Sequence, residues 1–303
     1  MSVADLVRYP NGAPRGPESE ARTWAAPRRA ARGQQLLVWL CATVLVALLL
    51  AAVAAPALAP HDPLAINLSQ SLASPSRAHL LGTDHLGRDL LSRLLYAARG
   101  SLGAALATVL ISSATGLLVG TVAGYFGGWV DELSMRLVDI LLALPSFVLA
   151  LVLAGILGPG LANMVLAMVL VRWASPARVA RSLVLALREQ DFVTAARAMG
   201  ASDARIMARH LLPNVLGPMV VLATLSLGNT ILALAGLSFV GLGMQIPHPE
   251  WGAMLNQARP FIQTAPRLMI VPGVAIALSV FSANVLGDAW RDRLDPRHTG
   301  SQM

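Results

Sequence analysis

Six long apolar runs constrain the fold of this chain more than any other feature of the sequence. A helix that crosses a bilayer needs about 20 apolar residues, and about 17 is the lower limit. The runs cover residues 36–58, 102–125, 133–157, 161–177, 215–237 and 268–286. Backbone groups in lipid must bond to each other, which excludes irregular spans. The sequence therefore predicts an all-α, polytopic membrane helix bundle of about six transmembrane helices.

The segments between the runs predict how the chain is divided. Residues 1–35 form a tail, and 36–58 are too long for a signal-peptide core of about 7–15 residues, so we expect a retained helix. Residues 59–101 form an extracytoplasmic segment, and residues 102–286 form a core of five spans. The core includes a cytoplasmic loop, 178–214, and residues 287–303 form a second tail.

The distribution of positive charge predicts the orientation. All 23 basic residues are arginine, and the net charge is +7. With the N-terminus inside, sixteen arginines fall in cytoplasmic segments and five in outer ones. Short cytoplasmic loops carry the excess of positive charge in membrane proteins, so we expect both termini in the cytoplasm. The arginines are too dispersed for a nucleic-acid binding stripe, and no nucleic-acid partner is expected.

Small residues in the second run predict close helix packing. Gly116, Gly120 and Gly124 repeat at four-residue spacing, with Ser112 one step earlier. Such a row lets the backbone of another helix approach closely.

Polar residues inside the other runs are candidates for function or for structural pairing. Asp139 follows Arg136 by three residues, which predicts an ion pair on one helix face. Arg172 is expected to extend its charged end towards the membrane interface. Asn229 and Thr230 are candidates for lining a translocation path or for hydrogen bonding across a helix interface.

The loop 178–214 contains a pattern typical of two short helices. An apolar stripe at helical spacing comes first and consists of Phe192, Ala195, Ala196 and Met199. Gly200 is a helix-ending signal, and Ser202 with Asp203 begins a second helix that Pro213 should end. This pattern favours a docking surface for another protein, although a connector on the membrane surface remains open.

The same loop resembles the coupling loop of binding-protein-dependent ABC importer permeases. That loop has the pattern Glu-Ala-Ala, three residues, Gly, then a later Ile and a Leu-Pro pair. The matching positions here are Thr194, Ala195, Ala196, Gly200, Ile206, Leu212 and Pro213. Thr194 replaces the glutamate, so no salt bridge from that position is expected. The resemblance implies that this loop is the contact with the ATPase.

A second motif precedes the second run and is similar to the signature of C-type permeases of dipeptide, oligopeptide and nickel systems. Its residues are Gly82, Thr83, Asp84, Gly87, Arg88 and Asp89. From the residues alone we predict an amphipathic interfacial helix, capped by Thr83 or Asp84, with Asp89 and Arg93 paired four residues apart. Two later stretches, 237–252 and 287–297, are similar to the same subfamily.

The resemblance implies the type I ABC importer permease fold in a bacterial inner membrane, with several partners. These are a second related permease, two ATP-binding cassette subunits, an extracytoplasmic solute-binding protein and the lipid bilayer. The chain contains no lysine for a P-loop. It is therefore expected to be no enzyme, to hold no cofactor of its own, and to leave ATP to its partners.

Several alternatives for function stay open at this point. An ion- or proton-coupled secondary transporter would need intramembrane carboxylates or broken helices near the midplane. None of the six histidines has a partner at the sequence spacing of a metal site, so no metal site is expected. The transported solute is not fixed by the sequence, with di- or oligopeptides, nickel, glutathione and sugar oligomers as candidates.

Overall fold

The computed structural model describes residues 28–294, which are mostly helical. The helices are α1 Arg28–Val53, α2 Ala55–Leu58, α3 Leu90–Phe126, α4 Gly128–Ala143, α5 Ser146–Leu157, α6 Leu161–Arg172, α7 Ala174–Arg188, α8 Asp191–Ala198, α9 Asp203–Ile206, α10 Leu212–Phe239, α11 Trp251–Ala258 and α12 Arg267–Leu294. A first compact unit ends at Leu37, and a second, larger unit begins at Val38 and contains both candidate sites. The predicted tails lie mostly outside the described residues.

The number of spans is lower than predicted. Within residues 28–294, four helical stretches are long and apolar enough to cross a membrane: Gln35–Val53, Leu90–Phe126, Asp203–Phe239 and Arg267–Asp292. The third predicted span is broken between α4 and α5, which meet at 94°, and counts as a fifth only if the bent pair is one span. Pro145 lies at this break, where its missing N–H and the extended backbone it favours interrupt the helix.

The fourth predicted span, 161–177, is divided at Trp173 into α6 and α7. Helix α6 has 12 residues and is about 18 Å long, which is short of the hydrocarbon thickness of about 30 Å. Helix α7 is polar on one side and packs its alanines against α3. Trp173 keeps helical backbone angles, and the Ala177 N–H donates to its carbonyl at 3.0 Å, so the chain passes from α6 into α7 with little interruption.

The predicted small-residue groove on α3 is confirmed, and α7 fills it. A Cβ atom on Gly120 would lie 2.3 Å from the carbonyl oxygen of Ala177, and one on Gly116 would lie 2.6 Å from Cβ of Pro176. Gly124 sits 3.0 Å from the Arg181 carbonyl oxygen on the same measure. The two helix backbones are therefore in direct contact, which only glycine on α3 permits.

The main apolar core lies where α3, α6, α10, α11 and α12 meet. Trp251 is the largest buried side chain there and is 1% exposed. Its ring N–H donates to the Leu94 carbonyl at 3.2 Å, which satisfies the indole while the ring is buried. A separate, smaller core under α8 and α9 joins those short helices to α3, α7 and α10.

Candidate functional site

The coupling-loop candidate folds into a two-helix knuckle, defined here as α8, the turn at Gly200 and α9. Gly200 has φ of +78°, and the N–H of Ala201 donates to the carbonyl of Ala196 at 3.1 Å. This is the closing bond of a glycine-terminated helix, as predicted for Gly200. Ser202 occupies the N-cap position of α9, but its side chain makes no capping hydrogen bond.

The exposed face of the knuckle is apolar. Met199 is 81% exposed and Phe192 is 41% exposed, and Ala195 lies beside them. Thr194 is exposed on the same helix, whereas Ala196 is 2% exposed and faces the small core. The predicted stripe therefore divides: three of its members form an outward surface, and Ala196 holds the knuckle to the bundle.

The predicted end of the second knuckle helix at Pro213 is wrong. Helix α9, a π-helical turn at Met207–Leu211 and α10 form one continuous stretch, Asp203–Phe239. Pro213 lacks the N–H that would bond to the carbonyl four residues earlier, and the wider turn before it accommodates the proline without a break. Ile206 is fully buried, and Leu212 with Pro213 opens α10. The knuckle thus continues directly into a membrane-spanning helix.

Side chains also fasten the knuckle to the end of α3. The Tyr125 hydroxyl donates to Asp203 at 2.6 Å, and the Arg197 guanidinium lies 6.0 Å from the centre of the Tyr125 ring. Arg188, at the end of α7, donates to the Gly124 carbonyl at 2.9 Å. Movement of the knuckle would therefore displace the adjoining ends of two long helices, α10 and α3.

The second motif forms a buried turn rather than the predicted amphipathic helix. Gly87 has φ of +73°, and a Cβ there would lie 1.8 Å from the Asn67 carbonyl oxygen, so the helix cannot extend through this position. Helix α3 begins only at Leu90, and Asp89 caps it by accepting from the Ser92 N–H at 2.8 Å. Thr83 bridges back to Asp89 through the backbone. The leucines whose helical spacing favours a helix here, Leu90, Leu91, Leu94 and Leu95, lie in the first turns of α3.

Two arginines are buried in this turn and share one carboxylate. Arg88 and Arg93 are each 1% exposed. Asp84 accepts from Nε of Arg88 at 2.7 Å and lies 3.4 Å from Nε of Arg93. The predicted pair between Asp89 and Arg93 is wrong, because Asp89 instead binds His79 at 2.9 Å. Burial opposes ionisation of Asp89, but hydrogen bonds from Ser92 and His79 outweigh it and hold its pKa below the usual value.

The start of α3 and helix α11 meet in the fold, although their paired residues are 164 and 169 positions apart in sequence. Gln257 on α11 accepts from Arg88 at 3.2 Å and from Arg93 at 3.3 Å. Glu250 caps α11 through the N–H groups of Gly252 and Ala253. It also accepts from Ser101 of α3 at 3.0 Å. These contacts fix α11 against the start of α3 and form a buried platform, called the outer platform because this end of the bundle is predicted to lie outside.

Replacing Asp84 by alanine is expected to destabilise this platform by about 3–5 kcal/mol, because two buried guanidinium groups would lose their carboxylate. Thermal unfolding of the detergent-solubilised protein measures the effect. Asp62→Ala is the control, since Asp62 is exposed and bonds only to the N–H of Leu64 at 2.8 Å. Equal melting temperatures for the two variants would contradict this description of the turn.

Sequence spacing missed a cluster that the fold creates. His61, His79 and Asp89 place one ligand atom each within 4.8 Å of one another. The ring nitrogens of His79 are both occupied, by Asp89 at 2.9 Å and by Gln70 at 2.9 Å. Asp89 also accepts the hydrogen bond that caps α3. The hydrogen bonds of these three residues support the turn. Sequence spacing could not predict the cluster, because residues 61, 79 and 89 come together only in the folded chain.

The intramembrane polar candidates are distributed differently from the predictions. Asp139 pairs with Arg178 of α7, while Arg136 pairs with Glu132 at 3.0 Å, so the predicted Asp139–Arg136 pair is wrong. The Thr230 hydroxyl donates to the Ser226 carbonyl of its own helix at 2.7 Å, and Thr230 is fully buried. Thr230 therefore lines no open surface of this chain.

Asn229, the neighbour of Thr230, is exposed on α10. Its place on a translocation path remains a prediction.

Comparison with known proteins finds a matching family and several similar proteins. Residues 116–300 match the family described as "Binding-protein-dependent transport system inner membrane component". The chain is 47% identical over 237 residues to the nickel transport system permease protein NikC of Escherichia coli K12, covering 78% of this chain and 86% of the relative. It is 46% identical over 249 residues to the di/tripeptide transport system permease protein DppC of Pseudomonas aeruginosa, covering 80% and 82%.

A third relative and a solved structure extend the comparison. The glutathione transport system permease protein GsiD of Pectobacterium atrosepticum is 44% identical over 223 residues, or 74% of each chain. The MetNI methionine ABC transporter, solved in inward-facing conformations, matches with a TM-score of 0.50 at 20% identity, covering 67% of this chain and 97% of that chain. At that identity the likeness concerns the fold alone.

The broken α4–α5 pair is a feature that the secondary-transporter alternative called for, but that alternative gives way to these relatives. Their names describe subunits of nickel, peptide and glutathione transport systems. The chain belongs to the family of binding-protein-dependent transport system inner membrane components and is a membrane permease subunit of an ABC importer.

Proposed function

We propose that this permease forms part of the path for di- or oligopeptides, or for a related small solute such as nickel or glutathione. It would act with a second related permease, two ATPase subunits and an extracytoplasmic solute-binding protein. The named solutes of the relatives support this range. The excess of arginine in the predicted inner segments supports cytoplasmic termini.

The exposed apolar face of the knuckle is the observation that carries the proposal. Phe192, Ala195 and Met199 project from a folded and anchored support, and an apolar helix face of this kind fits a groove on a partner. We assign that groove to the ATPase. Closure of the ATPase pair would then displace the knuckle, and the continuous α9–α10 stretch would carry the displacement into the membrane.

The outer platform has the complementary role in this proposal. Asp84, Arg88, Arg93 and Gln257 hold the start of α3 against α11 without using any exposed group. The outer surface would therefore receive the loaded binding protein as a rigid unit. Energy supply belongs to the partners, because a P-loop needs a lysine and this chain has none.

Solute uptake by cells that carry the complete transporter tests the proposal. We expect uptake to stop when ATP is depleted and to continue when a protonophore collapses the proton gradient while ATP is maintained. The solutes to use are a radiolabelled dipeptide, glutathione and Ni²⁺. Uptake that survives ATP depletion and follows the proton gradient would overturn the proposal and restore the secondary-transporter alternative.

A further inference from the structure

A cavity of about 160 Å³, partly open to the surface, lies between the helices, apart from the knuckle and the outer platform. Six helices line it: α3, α4, α5, α6, α7 and α10. Its polar lining consists of Arg172 and five serines, namely Ser112, Ser113, Ser146, Ser175 and Ser226. A polar cavity of this size is unusual among apolar spans and has room for a carboxylate group with several waters.

The cavity lies at the ends of α5 and α6 that are far from the turn joining these two helices. Helices α5 and α6 are joined by a tight turn at 158–160, and each has 12 residues. At 1.5 Å per residue, Ser146 at the start of α5 and Arg172 at the end of α6 both lie about 17 Å from that turn. The hydrocarbon layer is about 30 Å thick, so α5 and α6 each cover about half the length of a full span between the turn and the cavity.

Arg172 is the one charged group in the lining, and no carboxylate among residues 28–294 pairs with it. Its side chain lines this cavity, and its extension towards the interface stays a prediction. Other arginines of the inner half have partners: Arg178 pairs with Asp139 and Arg181 with Asp131. An unpaired charge in a membrane-spanning bundle raises the free energy of the folded protein. The presence of Arg172 here therefore points to a ligand of opposite charge.

The serines suit the same ligand. Ser112 and Ser226 donate to carbonyls of their own helices, at 3.3 Å and 2.8 Å. Within the described chain, the hydroxyls of Ser113, Ser146 and Ser175 bond to no other residue and can donate into the cavity, Ser146 and Ser175 from its exposed side. Helix α5 also begins at Ser146, so its positive end faces the same depth. All of these groups favour a negatively charged oxygen.

We infer that this cavity is an anion-binding site of the translocation path and that Arg172 binds a carboxylate of the transported solute. The inference rests on the proposed importer function and narrows the solute class. A guanidinium binds a carboxylate through paired, charge-assisted hydrogen bonds. The same fixed charge repels a bare metal cation, so peptides and other carboxylate-bearing solutes fit this permease better than free Ni²⁺.

The test uses the complete transporter in proteoliposomes, with binding protein saturated with each solute. The probes are dialanine, dialanine amide and Ni²⁺. For Arg172→Gln we expect dialanine uptake to fall by on the order of tenfold or more, while uptake of the amide changes by less than about twofold. Arg172→Lys keeps the charge and should restore most of the dialanine uptake. Stimulation of ATP hydrolysis by loaded binding protein should persist in both variants.

Arg136→Gln is the matched control, because Arg136 is an exposed arginine that pairs with Glu132 on α4. It should transport acid and amide as the unaltered protein does. Equal loss of both solutes in Arg172→Gln, or no loss, would overturn the inference, as would an unaltered transporter that takes up Ni²⁺ but not dialanine. Those results would leave the importer function intact. Absence of any ATP-dependent uptake together with absence of stimulated hydrolysis would instead overturn the proposed function itself.

Discussion

Replacing Gly120 by leucine is expected to prevent assembly of the bundle, and the yield of folded protein should fall to background. A Cβ atom at this position would lie 2.3 Å from the Ala177 carbonyl oxygen and 2.8 Å from Cβ of Ala180. The backbone oxygen cannot rotate away, so α3 and α7 would have to separate along their seam. Overpacking in a well-packed core usually costs about 1–3 kcal/mol, but a clash between two backbones is expected to exceed that range and to approach the total stability of about 5–15 kcal/mol.

The amount of monodisperse protein after detergent extraction and size-exclusion chromatography measures this effect. Gly103→Leu is the matched control, because Gly103 is on the same helix and has no atom within 4 Å of a Cβ there. Its yield should equal that of the unaltered chain. A normal yield of Gly120→Leu would mean that α7 does not lie in the α3 groove.

Replacing Met199 by aspartate is the second substitution with a large expected effect, and it should abolish ATP-driven uptake while the permease still folds. Met199 is 81% exposed and is the most protruding apolar side chain of the knuckle. A charge there adds no internal clash, but it would have to lose its water inside an apolar groove of the ATPase. We expect uptake to fall by on the order of a hundredfold, since burying an unpaired charge costs several kcal/mol.

The readouts for this variant are uptake and melting temperature. Met199→Leu is the conservative control and should transport normally, because it retains the apolar contact. Ile206→Asp is the opposite control: Ile206 is fully buried, and a charge there should lower the melting temperature. Normal uptake by Met199→Asp at normal expression would contradict the assignment of the exposed knuckle face to the ATPase.

Gly200→Asp and Ala196→Arg both alter the coupling-loop pattern, but the structure predicts different effects for them on folding. Gly200 is exposed with open space around it, so the main cost of aspartate is its positive φ. Ala196 is 2% exposed, and arginine there would disrupt the small core as well as any coupling. A face that docks on a partner therefore has to be chosen by exposure, which periodicity alone does not give.

Local features of the fold were predictable because their causes lie within a few residues. The end of α8 follows from Gly200, and the groove on α3 follows from glycines four residues apart. The break between α4 and α5 also has a local cause in Pro145, but a continuous apolar run conceals it. The buried turn at Gly87 was mistaken for helix because leucines at helical spacing extend on both sides of it.

Long-range pairing was the part that sequence could not supply. Arg88 and Arg93 reach Gln257 across more than 160 residues, and Asp139 reaches Arg178 on another helix. The cavity at Arg172 is formed by residues of six helices, and no one of these segments predicts it alone. Spacing of three or four residues predicts the ion pairs Arg136–Asp139 and Asp89–Arg93. In the structure, Asp139 instead pairs with Arg178, and Asp89 bonds to His79.

The most direct test of the central claim is ATP hydrolysis by the co-purified transporter in lipid, with and without loaded binding protein. For the unaltered transporter we expect a stable complex with the ATPase subunits and ATP hydrolysis that rises when loaded binding protein is added. For Met199→Asp we expect loss of both the association and the stimulation. A permease that fails to retain the ATPase subunits, or a Met199→Asp complex that hydrolyses ATP with full stimulation, would contradict it.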